Sequence, residues 1–215
     1  MKFADAIYNG KTEIKNIIFD WGGVITDLHF EATKKAFHDL GLLVFDESVP
    51  HDPNHDLFIP FEIGKLSPRE FRNRLRKLTP RQLSDNDIDQ AWCALLADLP
   101  VERWRILEEV SKNFRAFILS NTNAIHQPYY YNRLRQQYGT DGYAHFFEKT
   151  YFSHELGMRK PDPEIFQFVL EDARINPEET MFIDDFIENI ETAQKLGFQT
   201  IHLEAPLTLA DVFVI

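Results

Sequence analysis

The sequence is short of several things, and each shortage removes a class of protein. It has one cysteine, Cys93, in 215 residues, so no disulfide can close within the chain. Although 44% of its residues are hydrophobic, no apolar run reaches the roughly 18 residues that a membrane-spanning helix needs. Met1 to Gly10 lacks the basic start and continuous apolar stretch of a secretory signal. With the lone cysteine, this gives a reduced, cytoplasmic location as the expectation. Basic residues are outnumbered, 23 Lys and Arg against 34 Asp and Glu, for a formal net charge of -11. Such a balance disfavours non-specific attraction to nucleic acid or anionic lipid, so neither nucleic acid nor a membrane is an expected partner. Internal repeats and low-complexity segments are also missing. A small molecule is the expected partner, bound by a monomer or a homodimer.

Two kinds of apolar pattern are present. Asn16 to Phe19, Phe114 to Leu119, Met181 to Ile183 and Phe198 to Leu203 are short, largely apolar runs that end at polar or turn residues, and Lys149 to Ser153 is a further candidate. They predict buried strands of a parallel sheet. Val101 to Asn113, Glu164 to Ala173 and Ile187 to Leu196 have helical spacing, the last closed by Gly197. Strand and helix in alternation predict an α/β fold with a doubly wound parallel sheet. From about Leu28 to Trp104 the spacing is helical throughout, so this stretch is expected to be a helical cap inserted after the first strand. The division is then a core of residues 1–27 plus 105–215 and a cap of residues 28–104. Inside the cap, Lys65 to Arg81 holds seven basic residues and one acid. That run reads either as a solvated helix face opposite Phe71, Leu75 and Leu78 or as an anion-attracting lid.

In open α/β sheets, ligands meet the loops at the carboxyl ends of the strands. Here each of those ends carries chemistry. Asp20 follows the first strand and precedes a glycine turn at Gly22 and Gly23, a rigid carboxylate with open space before it, suited to a nucleophile or metal ligand. Ser120-Asn121-Thr122-Asn123 offers hydroxyl, amide and backbone N–H donors to an anion. Lys160 stands before Pro161 in an extended turn, with an ammonium for a phosphate or carboxylate. Asp184-Asp185 is a pair that repels itself unless a proton or a cation intervenes. Any one of these also occurs in ordinary turns and helix starts. All four in chain order, at the ends of one sheet, define a candidate site.

The order Asp20, Ser120, Lys160, Asp184-Asp185, with a helical insertion after the first motif, resembles the haloacid dehalogenase-like (HAD) hydrolase superfamily along nearly the whole chain. Leu119 to Asn123, Leu156 to Pro161 and Phe182 to Asp185 are most similar to its sugar-phosphate phosphatases near α-D-glucose-1-phosphate phosphatase, and to the amino-terminal phosphatase domain of soluble epoxide hydrolase. The resemblance implies a Rossmann-like core and a phosphatase of a small phosphorylated metabolite, with sugar phosphates favoured. It implies that Asp20 attacks phosphorus and becomes an aspartyl-phosphate. Mg²⁺ is expected between Asp20, the Gly22 carbonyl and Asp185, with direct or water-mediated support from Asp184. Ser120 and the backbone N–H of Asn121 are expected to hold the phosphoryl group, and Lys160 to neutralise nucleophile and phosphate together.

One position departs from the family pattern. Most phosphatases of the superfamily carry a second Asp two residues after the nucleophile, as general acid and base; here Gly22 occupies it. A substrate with a good leaving group, such as the anomeric oxygen of a sugar 1-phosphate, makes that loss tolerable, and the glucose-1-phosphate phosphatases share the glycine. Asp20-Trp21-Gly22-Gly23 also resembles the Asp-Trp-Ala-Gly of phosphonoacetaldehyde hydrolases, which use a cap lysine as a Schiff base; Lys34, Lys35 and Lys65 are the lysines available. The 2-haloacid dehalogenases also lack the second Asp, but the acidic pair at Asp184-Asp185 speaks against them. A non-catalytic binding module is the remaining alternative. Asp27 is expected to brace the loop after the first strand, Trp21 to line the mouth of the site, and Tyr129 to Tyr131 to pack a helix on the sheet. His126 is either structural or a substrate contact, and His51 and His55 near Asp52 and Asp56 fit a loop better than a metal site.

Overall fold

Both faces of the central sheet are covered, and the apolar runs show why. The computed structural model describes residues 1–5, 7, 8, 10, 12–43, 57–139 and 142–214. Its strands are β1 (Lys2–Phe3), β2 (Asn16–Phe19), β3 (Arg115–Ser120), β4 (Lys149–Phe152), β5 (Thr180–Asp184), β6 (Gln199–His202) and β7 (Phe213–Val214). Strands β2 to β6 form the expected parallel sheet, in the order β4-β3-β2-β5-β6. Side chains alternate along a strand. Ile17 and Phe19 therefore join one apolar cluster while Ile18 joins another, and Met181 and Ile183 are separated from Phe182 in the same way. A strand buried on both faces is apolar along its middle on both sides, which is why Ile17 to Phe19 and Met181 to Ile183 show no polar alternation, with polar residues only at the strand ends.

The helices are α1 (Phe30–Asp39), α2 (Ile59–Glu62), α3 (Pro68–Arg76), α4 (Asp85–Cys93), α5 (Val101–Asn113), α6 (His126–Tyr138), α7 (Ser153–Leu156), α8 (Pro163–Ala173), α9 (Ile187–Lys195) and α10 (Leu209–Val212). Ile165, Phe166 and Val169 of α8, with Ile190 and Ala193 of α9, cover the Ile18 face. Helices α5 and α6 cover the other with Ile106, Leu107, Val110, Tyr130 and Leu134. The antiparallel pair β1–β7 joins Phe3 to Phe213 and was not legible, because two residues are too few to show a period. No helix among the described residues is long and apolar enough to cross a membrane.

Helices α1 to α4 lie between β2 and α5 in the chain. Ser67 and Ser84 begin α3 and α4 with reciprocal capping boxes to Glu70 and Asp87. Arg72 grips Asp89 through two 2.7 Å hydrogen bonds, Arg76 binds Asp85, and Arg81 donates to the Asp39 carbonyl. Three members of the basic run thus hold neighbouring helices together. Phe61 stacks on Phe71 with centroids 4.1 Å apart, and Phe58 on Trp92 at 5.0 Å. These rings belong to the same apolar cluster as Ile17 and Phe19, so the insertion and the sheet share a continuous core. Helix α5 crosses the boundary expected at 104/105. His51 and His55, with Asp52 and Asp56, lie outside the described residues.

The end of α2 approaches α7 closely. Gly64 has φ +68°, and a Cβ there would sit 2.2 Å from the His154 carbonyl oxygen. Gly139 has φ +66° with nothing within 4 Å of such a Cβ. Gly139→Ala is therefore expected to lose about 1–2 kcal/mol from backbone strain alone, and Gly64→Ala to lose distinctly more, because a rigid carbonyl blocks it as well. Urea unfolding of the two variants checks this; equal losses would mean that the approach of α2 to α7 is loose.

Candidate active site

Strand register places the first carboxylates. Phe19 is level with Ile183, and the Asp20 N–H continues the ladder to the Ile183 carbonyl at 2.9 Å, so Asp20 and Asp184 stand side by side at the carboxyl edge of the sheet. The Trp21 N–H donates to Asp20 Oδ1 at 2.7 Å and fixes its rotation. The chain then turns sharply, with the Gly23 N–H bonded to the Thr26 carbonyl at 2.7 Å. Gly23 has φ +81°, and a Cβ on it would lie 2.1 Å from Asp185 Oδ2. The glycine turn after Asp20 is thus what admits the second acid of the pair. Asp20, Asp184 and Asp185 each bring one carboxylate oxygen within 4.8 Å of the others.

Lys160 is only 1% exposed, and its Nζ lies 3.0 Å from Asp20 Oδ1 and 2.6 Å from Asp184 Oδ2. Burial alone would discharge it; Asp184 and Asp20 outweigh burial and hold its pKa above the ordinary value. The acids remain in excess. Burial pushes Asp20 up to about 7, with Asp184 and Asp185 adding to the rise and Lys160 opposing it. Burial and then Asp184 push Asp185 up to about 6, and Asp185 Oδ1 is buried with no hydrogen-bond partner. Asp184 is saturated: Oδ2 takes Lys160, while Oδ1 accepts from the Phe186 N–H and the Asn189 amide, both at 2.9 Å. Hard oxygen donors with surplus negative charge and an unpartnered oxygen fit a divalent cation, with Asp20 and Asp185 better placed than Asp184 to touch it.

A cavity of about 380 Å³ opens here, lined by Asp20, Gly22, Ser120, Asn121 and Lys160 among others. These expected residues therefore come together, and Asp184 and Asp185 join them through Asp20. The Asn121 side chain does something the sequence did not announce: its amide donates to the Lys160 carbonyl and its oxygen accepts the Lys160 N–H, both at 2.9 Å, clamping the lysine loop to the end of β3. Asn123 precedes α6, with Oδ1 accepting the Ile125 and His126 N–H groups and the Trp92 indole N–H.

The remaining expectations sort themselves by contact. Asp27 binds Arg103 at 2.7 Å, and Arg103 also donates to the Ile25 carbonyl, so Asp27 does brace the loop. Trp21 lines the cavity and meets Tyr130 edge to face at 5.4 Å. His126 lines the cavity stacked on Trp92 at 4.6 Å, and burial pushes its pKa down to about 3, so the ring is neutral. Lys34, Lys35 and Lys65 are exposed, and the cavity wall includes none of them and no member of the basic run from Lys65 to Arg81. Glu62, Trp92, Arg159 and Asn189 line the cavity without having been expected there. Arg159 could have been suspected from its place beside Lys160; Glu62 looks like any other acid in the sequence.

Comparison with known proteins agrees with this geometry. The model of the haloacid dehalogenase-like hydrolase family matches residues 14–197. D-ribitol-5-phosphate phosphatase of Bacteroides thetaiotaomicron is 34% identical over 193 residues, covering 89% of this chain and 92% of that one. A crystal structure of a HAD family enzyme from the same organism matches with a TM-score of 0.85 at 37% identity, over 91% of this chain and 96% of that one. The wild-type form of that enzyme, in complex with magnesium and inorganic phosphate, matches with a TM-score of 0.82 at 38% identity, over 90% and 96%. With its parallel sheet, its acidic cluster and a match over most of its length, the chain belongs to the haloacid dehalogenase-like hydrolase family.

Proposed function

We propose that the protein is a Mg²⁺-dependent phosphatase that hydrolyses a small phosphorylated metabolite, a sugar or polyol phosphate, through an aspartyl-phosphate on Asp20. The observation that carries this reading is the buried Lys160 ammonium held between Asp20 and Asp184 inside a three-carboxylate cluster. Similarity to a ribitol-phosphate phosphatase and to an enzyme crystallised with magnesium and phosphate supports it.

In this reading Asp20 attacks phosphorus, the bond from phosphorus to the substrate alcohol breaks, and the alcohol oxygen takes up a proton. Water then attacks the aspartyl-phosphate, releasing inorganic phosphate and restoring Asp20. Trp21 and Lys160 engage Oδ1 of Asp20, which leaves Oδ2 to face phosphorus. The Ser120 hydroxyl and the Asn121 N–H donate to the phosphoryl oxygens, and Lys160 offsets the charge that builds up there. The Asn121 side chain keeps Lys160 in place. Asp20, Asp185 and the Gly22 carbonyl hold the Mg²⁺, which supplies positive charge to nucleophile and phosphoryl group when bound. Residues 28–104 act as the cap over the cavity. Gly22 brings no carboxyl group, so positioning and charge carry most of the rate. The exposed positions of Lys34, Lys35 and Lys65 weigh against Schiff-base chemistry, and the assembled cluster weighs against a mere binding module.

Phosphate release from a panel of sugar and polyol phosphates, with and without Mg²⁺, tests the proposal. Turnover is expected with Mg²⁺, and Asp20→Asn is expected to lower kcat at least about 1,000-fold. A panel that yields no phosphate above the Asp20→Asn background contradicts it. Metal binding carries its own pH signature. Folding raises Asp20 and Asp185 from the ordinary carboxylate value of 3.8 to about 7 and about 6. Their contribution to metal-free stability is therefore full below about pH 4 and is lost as pH rises through 6 to 7. Mg²⁺ needs both groups ionised, so the rise in Tm on adding it should be large near pH 8 and nearly absent near pH 5. A shift independent of pH would place the metal elsewhere.

A further inference from the structure

The cavity wall carries a second charged pair that phosphoryl transfer does not use. Glu62 ends α2, Arg159 immediately precedes Lys160, and their side chains meet at 3.2 Å on the wall of the cavity that holds Asp20. They are 26% and 29% exposed, well short of a free surface pair. Both backbones are pinned. The Ser153 hydroxyl donates to the Glu62 carbonyl at 2.7 Å, and Gly64 lies against His154 two residues further on. Arg159 is fixed by the Asn121 clamp on its neighbour Lys160. The pair is therefore presented at a set position, half from the insertion and half from the core. It is also incompletely satisfied: the contact joins Arg159 Nη2 to Glu62 Oε2, and Arg159 Nε is buried with no hydrogen-bond partner. Burial pushes the Glu62 carboxyl above its usual range, with Arg159 opposing the rise.

The phosphate end of a substrate is already provided for by Ser120, Asn121, Lys160 and the acidic cluster. What remains for the rest of the molecule is a carboxylate that accepts and a guanidinium that donates, side by side. A hydroxyl group can donate to the first and accept from the second, and neighbouring hydroxyls on a carbon chain can do both. An aliphatic chain without hydroxyls offers nothing to either. Building on the phosphatase reading, we propose that Glu62 and Arg159 form the subsite that recognises hydroxyl groups on the carbon chain of the substrate, and that they set the preference for polyol over plain alkyl phosphates.

The test compares kcat and KM for ribitol 5-phosphate, propyl phosphate and p-nitrophenyl phosphate in the wild type, Glu62→Gln and Arg159→Lys. Each substitution keeps size and changes the charge or fork geometry on which recognition rests. The ratio of kcat/KM for ribitol 5-phosphate to that for propyl phosphate should fall about 10- to 100-fold in both variants, mainly through KM, as expected for hydrogen bonds to a charged group. Competitive inhibition by inorganic phosphate, kept in the variants, shows that they fold with the phosphate site intact. An unchanged ratio overturns the proposal, whether both substrates lose equally or neither loses. A loss of kcat on both alkyl esters with p-nitrophenyl phosphate spared would make Glu62 a proton donor to the leaving oxygen and equally overturn it. If the wild type hydrolyses none of the three, the phosphatase reading itself fails.

Discussion

A buried ammonium cannot remain charged without carboxylates beside it, and Lys160 has two, at the ends of β2 and β5. Lys160, Asp20 and Asp184 meet this condition with Lys160 and Asp184 fully buried and Asp20 nearly so, at the floor of the cavity. Much of the site follows from satisfying it. Asn121 clamps the lysine loop, the Phe186 N–H and Asn189 fill the other oxygen of Asp184, and Gly23 gives up its side chain so that Asp185 can approach. Lys160 balances only part of the charge. The excess on Asp20 and Asp185 is what a divalent cation and a phosphoryl group would meet.

The sheet makes this arrangement rigid. Parallel strands buried on both faces bring their carboxyl ends to one edge, and register alone sets Asp20 beside Asp184. Chemistry is gathered at the last residues of β3 and β5, Ser120 and Asp184, and in the loops that leave that edge, while Ile17 to Phe19, Ala116 to Leu119 and Met181 to Ile183 beneath are apolar. The helices between β2 and α5 add the opposite wall. Their aromatic stack runs from Phe61 and Phe71 through Phe58 and Trp92 to His126, so rings of the insertion continue into the core. The same contact brings Glu62 within reach of Arg159. In the proposed reading, phosphate chemistry and recognition of the substrate chain fall to different parts of one cavity wall.

Much of this was legible because the informative residues break a pattern. An Asp directly after three apolar residues, a glycine pair and an adjacent acidic pair all stand out against buried strands, and their order along the chain survives into space. What escaped was set by contacts between distant segments. The Asn121 clamp on Lys160 spans 39 positions of sequence, and the Ser153 bond to Glu62 spans 91. Neither has a local signature. Lys160 was expected to offer an available ammonium; its burial between two acids depends on strand register, which spacing does not reveal. The basic run from Lys65 to Arg81 follows the solvated-face reading, with Arg69, Arg74 and Lys77 exposed and Phe71 and Leu75 buried; what spacing did not show is that Arg72 and Arg76 are held by acids of the next helix and that Leu78 stays half exposed.

The most direct test of the central claim is to catch the covalent intermediate. Mixing enzyme, Mg²⁺ and a substrate that turns over, quenching in acid within the first turnovers and mapping peptides by mass spectrometry should find one phosphoryl group on the peptide containing Asp20. Asp20→Asn should carry none. Turnover with no phosphoryl group on Asp20, or with one on another residue, would contradict the account.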